Sequence, residues 1–158
     1  GRLAFSDFSS GLPVVMMYAG SQDTVASVSP GRGGESRISP DGKWIAYVAQ
    51  GIVVQPLSGP GGRIAISGSD GAQPVWARDG KRLFYIAPDR KLMAVTFSPE
   101  RREVSTPQAL FQTRIVGARF VATQYDVAAD GRFLINSIPV NAPSPLTLIS
   151  GWNANLKN

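Results

Sequence analysis

Three carboxylates recur in one local setting: Asp41, Asp79 and Asp130 each stand before a glycine and then a basic residue. Paired carboxylates can carry acid/base work such as glycoside hydrolysis, provided two of them face each other about 5 to 9.5 Å apart. Little other catalytic chemistry is open to this chain, because its 158 residues include no histidine and no cysteine. Ser-His-Asp and Cys-His nucleophiles are excluded, as are imidazole and thiolate metal sites, disulfides, iron–sulfur clusters and thiol redox motifs. The Asp-Gly setting itself points to a plainer role. Asp bonds its own backbone in a turn, and the following Gly supplies a left-handed φ at no steric cost. Three turns in three separate repeats do not converge on one substrate, so no catalytic residue, cofactor or metal ligand is expected.

The elements that hold these residues form a repeat. SPDGKWIAYVA from Ser39, ARDGKRLFYIA from Ala77 and AADGRFLINS from Ala128 share the corner and the apolar run after it. The periods are 38 residues from Asp41 to Asp79 and 51 from Asp79 to Asp130. The first is close to the roughly 40 to 45 residues of a four-stranded propeller blade, and the second fits a blade with an insertion. Pro40 presets φ, Asp41 follows, and Gly42 takes the left-handed position of a type I turn closed by a glycine bulge, which makes a hairpin. The runs Trp44 to Val48 and Leu83 to Ile86 are short, rich in β-formers and bounded by turns, as strands covered on both faces are. The sequence therefore predicts an all-β partial β-propeller of four-stranded antiparallel blades, about three and a half of them. The expected units are 1–35, the tail of an incomplete blade; 36–72, a complete blade; 73–122, a complete blade with an insertion; and 123–158, a final blade lacking its outer strand.

In such a ring the loops entering each innermost strand gather at one mouth of the central channel. Here they carry Arg32 and Glu35, Asp70 and Gln73, and Arg114 and Arg119. Glu35, Asp70, Gln73, Trp76 and Arg119 are the expected ligand or partner contacts, since their mixed polarity suits a peptide or another charged ligand. Solvation of loop tips accounts for the polar ones equally well. Trp44, Trp76 and Trp152 are stacking candidates, but Trp44 lies in a doubly covered strand and reads as core. Trp76, on an innermost strand, is the better ligand candidate, with core packing as its alternative. The net charge of +5 brings no basic stripe, because the one tight pair, Arg101 and Arg102, sits between Glu100 and Glu103. No nucleic acid partner is expected. Gly59 to Gly62 read GPGG with no Lys-Ser/Thr after them, so they do not form a phosphate loop. No apolar stretch nears 18 residues, so direct membrane insertion is not expected, while the start at Gly1 suggests that further sequence lies upstream.

SPDG followed by a short apolar strand resembles the TolB-type, WD-like propeller repeat. The runs VVQPLSGPGGRIAIS from Val53, QPVWARDGKRLFYIAPDRKLMAV from Gln73, YDVAADGRFLIN from Tyr125 and PLTLISGWNANL from Pro145 add a narrower likeness. They are similar to the C-terminal propeller region of bacterial, notably acidobacterial, receptor-like serine/threonine kinases; only the turn between Ala49 and Gly51 is shorter than that family's. The resemblance implies a non-catalytic interaction or sensing module, a fragment of a membrane-tethered kinase or a TolB-like protein, on the extracytoplasmic side. Its partner would be a protein, a peptide or the other blades of its parent. No glycine-rich kinase loop, HRD-type loop or DFG lies in the chain. The alternative is the accessory propeller of a prolyl oligopeptidase-type serine peptidase whose catalytic domain is absent here. Open blade edges pair with other chains, so self-association is also expected.

Overall fold

The computed structural model describes residues 3–7, 14–18 and 25–27 as backbone, and residues 35–58, 61–68, 70–116 and 123–137 with their side chains. All regular structure among them is β. A first sheet holds β1 (Leu3–Asp7), β2 (Val14–Tyr18) and β3 (Val25–Ser27) in sequential antiparallel order. The second is a four-stranded meander of β4 (Ser36–Ile38), β5 (Trp44–Ala49), β6 (Gly51–Pro56) and β7 (Ile64–Ala65). The third runs β8 (Ala72–Trp76), β9 (Arg82–Ile86) and β10 (Lys91–Ser98). The long β10 then takes two partners, β11 (Glu103–Val104) through Phe97 and Ser98 and β12 (Gln108–Gln112) through Lys91 to Ala94. A last pair, β13 (Tyr125–Val127) and β14 (Phe133–Ile135), completes the described strands. The part of the expected final blade, 123–158, that follows residue 137 lies outside the described residues. The two-residue β11 is not visible in the sequence, being too short to carry a period.

The three Asp-Gly corners are superimposable in their bonding. The N–H groups of Lys43, Lys81 and Arg132 donate to Oδ1 of Asp41, Asp79 and Asp130 at 3.1, 2.9 and 3.1 Å. Gly42, Gly80 and Gly131 have φ of 69°, 67° and 85°. Their N–H groups donate to the carbonyls of Ser39, Ala77 and Ala128 at 2.9, 3.0 and 3.0 Å. Each carboxylate thus satisfies the turn that it stands in. A fourth corner follows the same rule without glycine: in Ala87-Pro88-Asp89-Arg90, Lys91 N–H donates to Asp89 Oδ1 at 3.1 Å and Arg90 takes φ of 66°. The edge strand braces it, since Thr113 donates to the Arg90 carbonyl from both N–H and hydroxyl, at 3.0 and 2.6 Å.

Alternating side chains of β5 go to opposite faces, and both are covered. Trp44 and Ala46 join Ile52, Val54, Trp76, Leu83, Val95 and Phe97 in the core between the second and third sheets. Ile45 and Tyr47 form a separate buried cluster on the other face with Val53 and Leu57. Phe84, Ile86, Leu92 and Ile115 pack with Tyr125 and Val127 between the third sheet and the last pair. The Phe97 ring lies edge-on to both Trp44 and Trp76, with centroids 4.9 and 5.6 Å away. The arm ending in β11 completes that joint: the Arg102 guanidinium lies over the Trp44 ring and donates to the Gly62 carbonyl at 3.3 Å.

The short Ala49–Gly51 turn has a local cause. Ala49 pairs directly with Gly51, leaving Gln50 alone at the tip, and Gly51 takes φ of 112°. The loop after β7 folds over it, so that a Cβ on Gly51 would lie 1.9 Å from the Gly68 carbonyl oxygen. Gly51→Ala is therefore expected to cost about 3 kcal/mol, through forbidden φ plus a backbone clash, read as a fall in the urea midpoint at unchanged slope. Arg90→Gly should act oppositely. Relieving an L-residue of left-handed φ at an exposed site should stabilise the fold by about 1 kcal/mol, measured by the same titration.

Candidate functional site

The inner strands β4, β8 and β13 lie side by side, and the residues entering them meet at one end of the structure. Glu35, Gln73 and Gln124 stand at matching places, each six residues before a corner aspartate: 35 to 41, 73 to 79, 124 to 130. The structure links them in a chain. Gln73 N–H donates to Glu35 Oε2 at 2.5 Å, and Gln124 N–H donates to Gln73 Oε1 at 2.8 Å. The side chain of one blade thus accepts the backbone amide of the equivalent residue in the next. The rule operates twice in succession.

Gln73 is the centre of this seam. It is fully buried, with φ of 55°, and the ladder between β8 and β9 shifts register at this point. That irregularity turns its N–H and carbonyl out of the β8–β9 ladder, leaving them for neighbouring sheets: the carbonyl accepts the Tyr125 hydroxyl at 2.8 Å. Arg37 makes a second strap. Its guanidinium donates to Thr123 Oγ1 at 2.6 Å, and its carbonyl accepts the Trp76 indole N–H at 3.0 Å.

The electrostatics follow from this burial. Burial pushes the Glu35 carboxyl up to about 7, against the lowering effect of the Gln73 N–H and the Arg37 charge. Tyr125 is pushed well above its ordinary value, first by burial and then by the Glu35 charge. At the other end of the sheets, burial also raises Asp41, but the Ser39 hydroxyl, the Lys43 N–H and the Lys43 charge together outweigh it and hold the carboxyl low.

Among the expected contact residues, the structure brings Glu35, Gln73 and Trp76 together as parts of inter-blade joints. Trp76 is 7 % exposed and its N–H is engaged. Asp70 and Arg114 are exposed. Arg119, Arg32 and Trp152 lie outside the described residues. Sequence reasoning missed Gln124, Arg37 and Tyr125, although the column six residues before each corner, Glu-Gln-Gln, was there to be read. Among the described residues, no group of three or more His, Cys, Asp and Glu side chains is placed to hold a metal ion.

The Tyr125 hydroxyl is buried and bonds across the seam, so its removal leaves the Gln73 carbonyl short of a donor. Tyr125→Phe is expected to cost about 1 to 2 kcal/mol in chemical denaturation, while Tyr85→Phe, at a hydroxyl outside the seam, serves as the control.

No family model matches the chain, and no curated protein sequence matches it. Solved structures do share its fold. A protein named as a 6-phosphogluconolactonase from Bacteroides uniformis ATCC 8492 aligns with a TM-score of 0.56 at 11% identity, over 86% of this chain and 44% of that one. Another so named, from Bacteroides fragilis NCTC 9343, aligns at 0.50 and 11% identity, over 72% and 34%. The β-propeller domain of the trilobed protease from Pyrococcus furiosus, described as having an open velcro topology, aligns at 0.51 and 18% identity, over 68% and 38%. The chain spans less than half the length of each. At these identities the likeness shows the fold: an all-β partial propeller of antiparallel blades.

Proposed function

We propose that this chain is a non-catalytic binding module, a propeller segment of a larger protein that presents its channel mouth to a protein or peptide partner. The observation that carries the reading is how the polar groups are used. Asp41, Asp79 and Asp130 each accept a hydrogen bond from their own turn, and Glu35 and Gln73 accept from neighbouring blades. Carboxylates committed to backbone donors are poor general acids or bases, which need a free approach to substrate. Among the described residues at the mouth, Asp70 and Arg114 are exposed and of opposite charge. They suit an extended peptide with alternating charges better than a small neutral ligand.

The parent protein, on this reading, is a membrane-tethered serine/threonine kinase or a TolB-like protein, with the propeller on the extracytoplasmic side. The motif likeness of the SPDG and QPVWARDG runs supports that parentage. The second reading is an accessory propeller beside a serine peptidase domain. It draws on the structural likeness to the trilobed protease propeller.

An arrayed library of peptides with alternating acidic and basic residues tests the binding role. Micromolar binders are expected, and Asp70→Lys with Arg114→Glu should weaken them about tenfold at unchanged melting temperature, the loss expected from reversed charges at a rim. Absence of any binder, or hydrolysis of 6-phosphogluconolactone above its spontaneous rate by the purified chain, would overturn the reading.

A further inference from the structure

Glu35 is the one acidic member of a column whose other members, Gln73 and Gln124, are amides. Its two oxygens are treated differently. Oε2 accepts the Gln73 N–H, whereas Oε1 is buried with no hydrogen-bond partner among the described residues. An amide at this place would offer the same acceptor without a charge, as Gln73 does toward Gln124. Among the described residues, the groups acting on the cluster are Arg37 on β4, Tyr125 and Asp126 on β13, and the Gln73 N–H at β8. β5 meets Glu35 through the Val48 N–H, which donates to its carbonyl at 3.1 Å.

We propose that Glu35 is a protonation switch in the seam between the β4–β7 blade and the β8–β12 blade, which holds the joint closed while neutral and loosens it once ionised. The neutral carboxyl accepts from Gln73 through its carbonyl oxygen and leaves one O–H unmatched. The ionised form leaves part of a charge unmatched, which is far costlier inside a protein. Rotation of the carboxylate toward solvent relieves that cost but strips the Gln73 N–H of its acceptor. Gln73 is the residue that also grips Gln124 and Tyr125, so the disturbance reaches the next blade.

The upward displacement of Glu35 from 4.5 to about 7 sets the window. A carboxyl raised in the folded state contributes stability that is fully present below its unfolded value and is lost as pH rises through the folded one. The rest of the sequence makes the assignment clean. With no histidine and no cysteine, the remaining side chains have ordinary values below about 4.5 or above about 10, and only an α-amino group titrates near 8.

The test follows Gln73 and Gln124 amide exchange in the 158-residue chain from pH 5 to 8.5, corrected for the intrinsic rate, beside the carboxyl resonance of Glu35. Gln73 protection should fall about tenfold for each pH unit between about 5 and 7 and level off above, the linkage expected of one group whose value is raised in the closed joint. Phe84 in β9 should stay unchanged. Glu35→Gln, isosteric and already the residue of the other two copies, should make the Gln73 profile flat and raise the urea midpoint at pH 8.5 but not at pH 5. Equal pH profiles in the two proteins, or a Glu35 carboxyl titrating near 4.5, would overturn the proposal.

Discussion

Residues 44 to 48 and 83 to 86 are apolar or aromatic at every position, so the sheets they cross bury side chains on both faces. Neither sheet can be left alone in water, because covering only one face would leave Ile45 and Tyr47, or Phe84 and Ile86, exposed. Each sheet therefore requires two neighbours, and the architecture follows from that demand. Stacking twisted sheets around an axis is the arrangement that gives every sheet a neighbour on each side. The Trp44–Phe97–Trp76 joint shows how one such interface is filled: rings meet edge to face, and Arg102 from the β10–β11 arm closes the rim.

Hydrophobic cover alone does not fix how one sheet sits against the next, since apolar contact is non-directional. Direction comes from the hydrogen bonds at the inner strands. An amide N–H at the head of β8 or β13 has no ladder partner, and burial without an acceptor would cost about 1 to 3 kcal/mol. The acceptor is the Glu or Gln side chain of the preceding blade. One column of the repeat thus sets both spacing and register between blades. Fully buried Gln73 is tolerated because its N–H, side-chain carbonyl and backbone carbonyl all find partners.

Much of this was legible in the residues. The corners at Asp41, Asp79 and Asp130 could be recognised because turn chemistry is local: a Ser or Ala two places before Asp, then Asp and Gly, determine it within four positions. The strands after them were legible for the same reason. The corner at Asp89 was hidden, since Arg90 in place of Gly removes the usual signal of left-handed φ. β11 was hidden by its length, and the seam by its nature. A hydrogen bond between residues 51 apart, such as Gln124 to Gln73, leaves no local pattern and shows only when the copies are set in register. Glu35 and Gln73 drew attention as polar residues near a loop, the property that also marks ligand contacts, and only three-dimensional placement separates the two roles.

Trp76 makes the same point from the aromatic side. An innermost strand faces the channel with one of its edges, yet the side chains of β8 point along the sheet normals into the neighbouring blades, and all five of its residues are buried. A tryptophan there meets Phe97 and the Arg37 carbonyl before it can meet a ligand. What a propeller offers a partner is therefore weighted toward the loops that enter and leave its strands, where side chains are not claimed by the inter-blade contacts. In this chain the inner ends of those loops are claimed as well, by the seam. On the proposed reading, recognition falls to exposed residues farther out, such as Arg114, while Glu35 carries the proposed pH response of the inner ring.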